Sequence, residues 1–149
     1  MPVLIHQFIE RQASNAGKAI ALRYKNDEFS YAQLYEGVLS VAHGLIEHGL
    51  MPGERVAIYL PKTPEAVFTI FGTSAAGGAF VPINPLLKPQ QVKYILNDCN
   101  VRVLVTSPDR LALLADMLAE CKDLQIVVVT DNGKAKQANK ITGVGILDW

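Results

Sequence analysis

Residues 55–107 decide the fold class, and they read RVAIYLPKTPEAVFTIFGTSAAGGAFVPINPLLKPQQVKYILNDCNVRVLVTS. Three short apolar runs, at 56–60, 79–81 and 101–106, alternate here with two amphipathic segments of helical spacing. Apolar runs without polar alternation are typical of strands covered on both faces. Strands separated by helices at these spacings need parallel pairing with right-handed crossovers. The stretch therefore predicts a three-layer, doubly wound α/β fold with a mainly parallel sheet and helices on both faces.

Upstream of this stretch, the first segment predicts a short amphipathic helix whose apolar side carries Leu4, Ile5, Phe8 and Ile9. Residues 19–29 predict a hairpin. Ser30 then begins a long helix, because Gln33 three residues later completes a capping box. Gly37 and Gly44 lie on one face of that helix. Since glycine weakens a helix, this spacing predicts the close approach of another backbone.

The remaining helices are predicted from apolar stripes. The segment after Thr63 carries its stripe at Val67, Ile70, Phe71 and Ser74. The helix that opens at Pro89 turns Val92, Ile95, Leu96 and Cys99 inward, and the helix after Ser107 carries Leu111, Leu114 and Leu118. Residues 125–129 predict a further strand of the sheet. These helices and strands continue the alternation that indicates the α/β class.

Composition excludes several classes of protein. The chain has 149 residues, of which half are hydrophobic, and 14 basic against 14 acidic side chains. It therefore lacks the net charge that attracts nucleic acid or an anionic membrane. No apolar run approaches the roughly 20 residues of a membrane span, and the first residues become charged too soon for a signal peptide. Cys99 and Cys121 each fall on the apolar side of a predicted helix, which favours buried, reduced thiols and a cytoplasmic setting.

The chain divides into two parts by composition. Residues 1–130 are interpreted as one α/β subdomain, about the length of a single domain. Residues 131–145 hold a turn and several lysines among small polar residues, which predicts a surface loop. Apolar character returns at Ile146, so residues 131–149 are interpreted as that loop and the start of a truncated next element. An end four residues into a new apolar run is expected where a longer chain has been cut.

The segments that resemble catalytic or ligand-binding motifs lack residues that those motifs require. Residues 72–79 are rich in glycine, but they lack the Lys and Ser or Thr of a phosphate loop and end a helix instead of following a strand. Helix packing and C-capping explain this segment better. No metal site is predicted, because the histidines are scattered, without carboxylate or thiolate neighbours, at His6, His43 and His48. No serine lies in a nucleophile elbow with a plausible base.

The loop at residues 82–89, PINPLLKP, is the unusual element of the chain. Three prolines in eight residues fix a stiff, extended conformation directly after a short predicted strand. In doubly wound sheets, the loops beyond the carboxyl ends of the strands build ligand crevices. The loop is therefore either a ligand-contacting segment or a connector that aims the next helix, and the connector is favoured for any single residue.

Several phrases now resemble one family in their order and spacing. They are FSYAQL at 29–34, LMPGERVA at 50–57, PEAV at 64–67 and AGGAFVPINP at 76–85. Together they resemble the N-terminal region of the AMP-forming acyl-CoA ligases, members of the adenylate-forming superfamily. The segment at 84–107, NPLLKPQQVKYILNDCNVRVLVTS, most resembles the acyl-CoA ligases associated with bacterial exosortase systems. The resemblance covers roughly residues 3 to 130.

The resemblance implies a two-step reaction for a full-length enzyme. A carboxylate attacks the α-phosphate of ATP to give an acyl-adenylate and pyrophosphate, and the thiol of CoA then displaces AMP. ATP, Mg²⁺ and CoA are the implied cofactors, and a small carboxylic acid and CoA are the implied partners. The lysine-bearing, Ser/Thr/Gly-rich loop that such enzymes use for phosphate is not found in this sequence. The chain by itself is therefore expected to be inactive and to bind no cofactor, with its catalytic residues in later segments.

The resemblance carries over to two positions, both on the CoA side. In related CoA ligases, two features lie toward the CoA channel: the loop after the short F-V-P strand, and an arginine near the start of the helix that follows the next strand. The corresponding positions here are Asn84 and Arg110. An arginine suits a nucleotide phosphate because its planar fork matches the phosphate oxygens. The competing interpretation of Arg110 is a solvated charge in the first turn of a helix.

Two other functions stay open from the sequence. The chain would also fit the adenylation module of a peptide or polyketide synthetase, which loads a carrier-protein thiol instead of CoA. It would also fit a stand-alone α/β binding or interaction domain. A truncated sheet would leave unpaired edges and exposed apolar helix faces, which favour association, so a homodimer through these surfaces is a further expectation.

Overall fold

The computed structural model of the chain describes residues 3–131 and 141–149. Residues 132–140, most of the loop predicted at 131–145, lie outside the described residues. The elements in chain order are α1 (His6–Ala16), β1 (Ile20–Tyr24), β2 (Asp27–Ser30), α2 (Tyr31–Glu47), β3 (Arg55–Tyr59), α3 (Pro64–Ala75), β4 (Ala79–Pro82), α4 (Pro89–Asp98), β5 (Val101–Thr106), α5 (Pro108–Leu118), β6 (Ile126–Val129) and β7 (Gly145–Asp148). They fall into two compact units. The helical unit is Met1–Gly53 with Lys62–Gly78, and the sheet unit is Glu54–Pro61 with Ala79–Trp149.

The sheet unit is built on a parallel sheet. Among the described residues its strand order is β4-β3-β5-β6-β7, and every neighbouring pair is parallel. The prediction of an α/β fold with a mainly parallel sheet is confirmed. Ile146, where apolar character returns in the sequence, lies in β7 and pairs with Val127 of β6.

The core of the sheet unit follows the apolar patterns of its sequence. Strand β5 buries every residue except Arg102, as expected for a strand covered on both faces. The stripes predicted for α4 and α5 are confirmed: these helices bury Val92, Leu96, Leu111, Leu114 and Leu118, while Ile95 and Cys99 pack partly buried against the same cluster. The hydrophobic effect acting on this one contiguous cluster therefore holds the helices and strands of this unit together.

The two cysteines are free, but one of them is misplaced in the sequence interpretation. Cys121 is buried, yet it lies beyond the last residue of α5 and not on the apolar side of a helix. Its thiol instead approaches the Met117 carbonyl oxygen at 3.8 Å. Cys99 is half-buried at the C-cap of α4. The pattern predicted their burial better than their secondary structure.

The helical unit combines the β1–β2 hairpin with three helices. The hairpin is antiparallel, and Tyr24 pairs with Asp27 next to the turn. At the start of α2, the Ser30 hydroxyl accepts a hydrogen bond from the Gln33 amide at 3.2 Å. The Gln33 side chain accepts one from the Ser30 amide at 2.9 Å. The predicted hairpin and capping box are thus confirmed.

Close packing between α2 and α3 depends on glycine, but not at the predicted positions. A Cβ added at Gly44 would meet no described atom within 4 Å, and one added at Gly37 would lie 2.9 Å from the ring of Phe68, a side chain and not a backbone. The prediction of backbone approach at these two glycines is wrong. The close approach occurs at Gly72 of α3, where an added Cβ would lie 3.1 Å from the Val38 carbonyl oxygen.

Two predicted apolar stripes in the helical unit are confirmed only at single positions, because Ser74 of α3 is buried and Ile9 of α1 is half-buried. On α1 the apolar residues are not its packed side: Leu4 and Ile5 precede the helix and are exposed, and Phe8 is 56% exposed. On α3 the buried residues are small or polar instead of the large apolar ones, namely Pro64, Thr69, Gly72, Thr73 and Ser74. Small residues allow α3 to approach α2 closely, which an apolar pattern does not reveal.

None of the helices among the described residues is long and apolar enough to span a membrane.

Candidate functional site

The carboxyl ends of β3, β4 and β5 meet at one edge of the sheet unit. In open parallel sheets, ligands bind outside this edge. The proline loop, residues 83–88 between β4 and α4, leaves the sheet here. Its first residue still belongs to the ladder, because the Ile83 amide donates to the Ile58 carbonyl oxygen at 2.9 Å. The candidate site is therefore this loop and the side chains that hold it.

Asn84 is exposed, and its side chain serves the loop itself. Its Oδ1 accepts a hydrogen bond from the Leu86 amide at 3.0 Å, which is the geometry of an Asx turn. Its backbone carbonyl accepts a second one from the Leu87 amide at 3.1 Å. The residue thus fixes the turn by which the chain reaches α4.

Arg110 lies in the first turn of α5 and reaches the same loop. Its Nη2 donates to the Pro85 carbonyl oxygen at 3.2 Å. Its guanidinium carbon stands 5.1 Å from the centre of the Tyr59 ring, within the range of a cation–π contact. Its Nε is buried and has no hydrogen-bond partner among the described residues. The structure therefore brings the two sequence-predicted residues, Asn84 and Arg110, to one loop.

Tyr59 completes the arrangement, and the sequence interpretation counted it only as an apolar strand residue. It ends β3, is 2% exposed, and its hydroxyl donates to the Leu87 carbonyl oxygen at 2.9 Å. A buried tyrosine normally finds a partner for its hydroxyl. Its place at the carboxyl end of a buried strand is the signal that would have marked it.

Two threonine hydroxyls form hydrogen bonds between neighbouring strand ends beside the loop. The Thr106 hydroxyl at the end of β5 donates to the Tyr59 carbonyl oxygen at 2.9 Å, and Thr106 is fully buried. The Thr130 hydroxyl, just after β6, donates to the Thr106 carbonyl oxygen at 3.4 Å. Because an unpaired buried polar group is costly, these bonds stabilise the edge on which Tyr59 stands.

A shallow, open depression of about 400 Å³ lies next to the loop, on the side of α4. Its lining is apolar side chains with two amides, from Leu87, Gln90, Gln91, Tyr94 and Ile95. Leu87 belongs to both the depression and the clamped loop. The depression contains no charged side chain that would bind a phosphate.

The glycine-rich segment ends a helix, as the sequence indicates. The Gly78 amide donates to the Thr73 carbonyl oxygen at 2.9 Å, and the Gly77 amide donates to that of Ser74 at 3.2 Å. With a φ of 78° at Gly77, this is a Schellman motif that closes α3. Its amides are thus directed at the helix and not at an anion.

One side-chain pair in the helical unit was not predicted. His6 Nδ1 lies 3.0 Å from the Ser74 hydroxyl and connects α1 to α3. No local pattern indicates this pair, because the two residues are 68 positions apart. Among residues 3–131 and 141–149, no three His, Cys, Asp or Glu side chains come together as a metal ion would require.

The pKa values of Cys121 and Tyr35 are shifted, and both residues lie outside the loop. Burial raises the pKa of the Cys121 thiol, and the neighbouring Lys93 lowers it by less. Desolvation raises the pKa of Tyr35, and the negative charge of the Glu10 carboxylate raises it further. A raised pKa keeps each group protonated at neutral pH, so neither is an activated nucleophile.

The parallel sheet with helices places the chain in the α/β class, in which ligands usually bind at the carboxyl edge of the sheet. The family described as AMP-binding enzymes matches residues 9–146 of the chain. The chain therefore belongs to the AMP-binding enzyme family, which agrees with the adenylate-forming superfamily indicated by its sequence phrases.

Curated relatives include two synthases of Brevibacillus parabrevis. One of the linear gramicidin synthase proteins is 34% identical over 138 residues, which is 93% of this chain. Tyrocidine synthase 3 is 34% identical over 123 residues, or 80% of this chain. The chain spans only 3% and 2% of the length of these relatives, respectively.

Solved structures give the same fold. The anthranilate CoA ligase AuaEII, crystallised with anthranoyl-AMP, is 29% identical with a TM-score of 0.81, and the match covers 87% of this chain and 25% of that one. Coronafacic acid ligase from Pectobacterium brasiliense has a TM-score of 0.87 at 18% identity, covering 99% of this chain and 28% of that one. The second likeness shows the fold alone.

Proposed function

We propose that this chain is the first α/β portion of a longer adenylate-forming ligase. The longer enzyme activates a small carboxylic acid with ATP and passes the acyl group from the adenylate to a thiol. The family match over residues 9–146 carries this proposal. The small share of each relative that the chain spans supports the idea of a longer protein.

The acceptor is the thiol of CoA or of a carrier protein. The CoA ligase AuaEII, at 29% identity, favours CoA, as the sequence phrases do. The curated relatives are named as synthases or synthetases, which favours the carrier-protein alternative at least as strongly. We therefore propose a thiol acceptor and leave the choice between these two to experiment.

ATP and Mg²⁺ are proposed for the longer protein and not for this portion alone. Mg²⁺ prefers carboxylate and phosphate oxygens, and the described residues offer no acidic cluster to hold it. At the proline loop, Arg110 already donates to a backbone carbonyl. The 149-residue chain by itself is thus expected to form no adenylate.

We further propose that the proline loop faces the thiol acceptor, with Asn84 and Arg110 on that side. The supporting observation is that Arg110 reaches the residue next to Asn84 in the loop. A cytoplasmic location is also proposed. It is supported by the free thiols of Cys99 and Cys121, because reducing compartments keep cysteines unpaired.

The test uses the longer protein that carries this chain. It is incubated with radiolabelled pyrophosphate, ATP, Mg²⁺ and a panel of carboxylic acids, and exchange of label into ATP reports adenylate formation. CoA and a phosphopantetheine-bearing carrier protein are then offered in parallel, and thioester is measured by mass spectrometry. Exchange with at least one acid is expected, followed by transfer to one acceptor. No exchange with any acid would refute the ligase function.

The 149-residue chain is the matched control, because it lacks the segments proposed to be catalytic. We expect it to give neither exchange nor thioester. Turnover by this chain would overturn the assignment of catalysis to later segments. Light scattering on both proteins tests the remaining alternative, a stand-alone interaction domain. A dimer of the short chain that is absent from the longer protein would show that the contact reflects surfaces uncovered by truncation.

A further inference from the structure

Two side chains hold the proline loop from outside the loop. Arg110 Nη2 donates to the Pro85 carbonyl oxygen at 3.2 Å, and the Tyr59 hydroxyl donates to the Leu87 carbonyl oxygen at 2.9 Å. The guanidinium of Arg110 also stands over the Tyr59 ring at 5.1 Å. The two residues that reach into the loop therefore contact each other as well.

Two nitrogens of the Arg110 guanidinium, Nε and Nη2, are poorly placed to contact a ligand directly. Its Nε is shielded from solvent by the protein, so an incoming phosphate cannot reach this nitrogen without a rearrangement. Its Nη2 is already engaged by a backbone carbonyl. The bidentate fork with which arginine recognises phosphate needs two such donors in one plane. The fork that uses Nε and Nη2 is therefore blocked.

Tyr59 is held rigidly by its place in the sheet. Its backbone lies in the sheet, where it pairs with Thr106 of β5. The Thr106 hydroxyl binds the Tyr59 carbonyl oxygen, and the Tyr59 side chain is almost fully buried. A side chain fixed in this way positions the Leu87 carbonyl, which its hydroxyl binds, and the Arg110 guanidinium, which its ring contacts.

We propose that Arg110 and Tyr59 act as positioning residues that clamp the proline loop in one conformation. Pro85 lies within the loop, and Pro82 and Pro89 flank it, so proline restricts the backbone at three positions. The clamp fixes two carbonyls of the loop, those of Pro85 and Leu87. Proline stiffness limits the conformations that the loop can adopt, and the clamp selects one of them. Because Leu87 also lines the depression beside α4, the clamp keeps that surface preformed.

Hydrogen exchange followed by NMR tests the clamp on the 149-residue chain. The amides of Leu86 and Leu87, which bond to Asn84 in the turn, report opening of the loop. Arg110→Met keeps an unbranched stem but removes the charge and the donors, and Tyr59→Phe removes only the hydroxyl. Each variant is expected to speed exchange at these two amides by about tenfold, the factor that corresponds to one lost hydrogen bond.

The control amide is that of Ile83, which bonds to β3 in the sheet and is expected to exchange at its wild-type rate in both variants. The control variant is Arg102→Met, an arginine at the other end of β5 whose partner is Glu54 at 3.8 Å. It is expected to leave Leu86 and Leu87 unchanged. Unchanged loop exchange in both clamp variants would overturn the proposal, and so would equal acceleration at Ile83. If Arg110→Met does not fold, Tyr59→Phe decides alone.

A titration with inorganic phosphate separates positioning from ligand contact. The Arg110 Nε–H signal is expected not to shift as phosphate is added, because the protein shields that nitrogen. A saturable shift would identify Arg110 as an anion contact and overturn its role as a positioning residue. The clamp itself does not depend on the proposed ligase function. If the longer protein shows no pyrophosphate exchange while the loop amides respond as expected, the ligase proposal fails and the clamp stands.

Discussion

The packing inside the sheet unit differs from the packing inside the helical unit. In the sheet unit, large apolar side chains from α4, α5 and the strands form one buried cluster. In the helical unit, α3 buries small and polar residues such as Thr69 and Gly72, and α1 buries none of its described residues. Apolar periodicity reports the first kind of packing directly. It does not report the second kind, where the closeness of two backbones matters more than the area of the side chains.

The largest expected effect is in the core of the sheet unit. Leu114 is fully buried in α5, so Leu114→Ala removes apolar contacts and leaves a cavity, at a cost of about 2 to 5 kcal/mol in the free energy of unfolding. The neighbouring Leu113 is 61% exposed, and Leu113→Ala is expected to change stability by less than about 0.5 kcal/mol. Urea unfolding followed by the fluorescence of Trp149 in the sheet unit measures both variants.

Equal effects from Leu113→Ala and Leu114→Ala would contradict the description of α5 as a helix with one buried face. If Leu114→Ala lowered the free energy of unfolding only slightly and Leu113→Ala lowered it strongly, the buried face of α5 would be wrongly assigned. Either result would remove the contrast between the units, because the sheet unit would no longer follow its apolar stripes.

The second effect tests the close packing of the helical unit. A Cβ at Gly72 would lie 2.6 Å from the Cβ of Val41, so Gly72→Ala is expected to destabilise by about 1 to 3 kcal/mol through overpacking. Gly44→Ala, at the open glycine of α2, is expected to stabilise by up to about 1 kcal/mol because alanine favours the helix. Thermal unfolding followed by far-UV circular dichroism measures both. If both substitutions stabilised the protein, or both destabilised it, the close approach at Gly72 would not be what makes that glycine necessary.

The sequence predicted the fold where local signals and tertiary packing agree. Strand β5 was predicted at its observed bounds, because an uninterrupted apolar run has few alternatives once helices flank it. The stripe of α5 was predicted for the same reason. For α3, Val67, Ile70 and Phe71 were expected to face inward, and the helix instead turns Gly72 and its polar neighbours to the buried side. Which face of such a helix is buried depends on its partner helix, and that choice is not local.

The candidate site was partly predictable. The three prolines marked the loop, and the family resemblance directed attention to Asn84 and Arg110, whose ligand roles stay predictions. The contact from Arg110 to the loop spans 25 residues, and the contact from Tyr59 spans 28. Such contacts depend on the order of the strands in the sheet, which places β3 beside both β4 and β5. No pattern within a single segment encodes that order.

The smallest expected effect compares a helix start in each unit. Ser30 and Ser107 are both N-cap residues, but only the Ser30 hydroxyl accepts a helix amide in the described structure. Ser30→Ala is therefore expected to cost about 1 kcal/mol of unfolding free energy, and Ser107→Ala less than half of that. Urea unfolding of the two variants under identical conditions measures the difference. A larger loss at Ser107 would show that its hydroxyl caps α5 in solution. The local signals at the start of α5 would then be as strong as those at α2, and the units would differ only in how their helices pack.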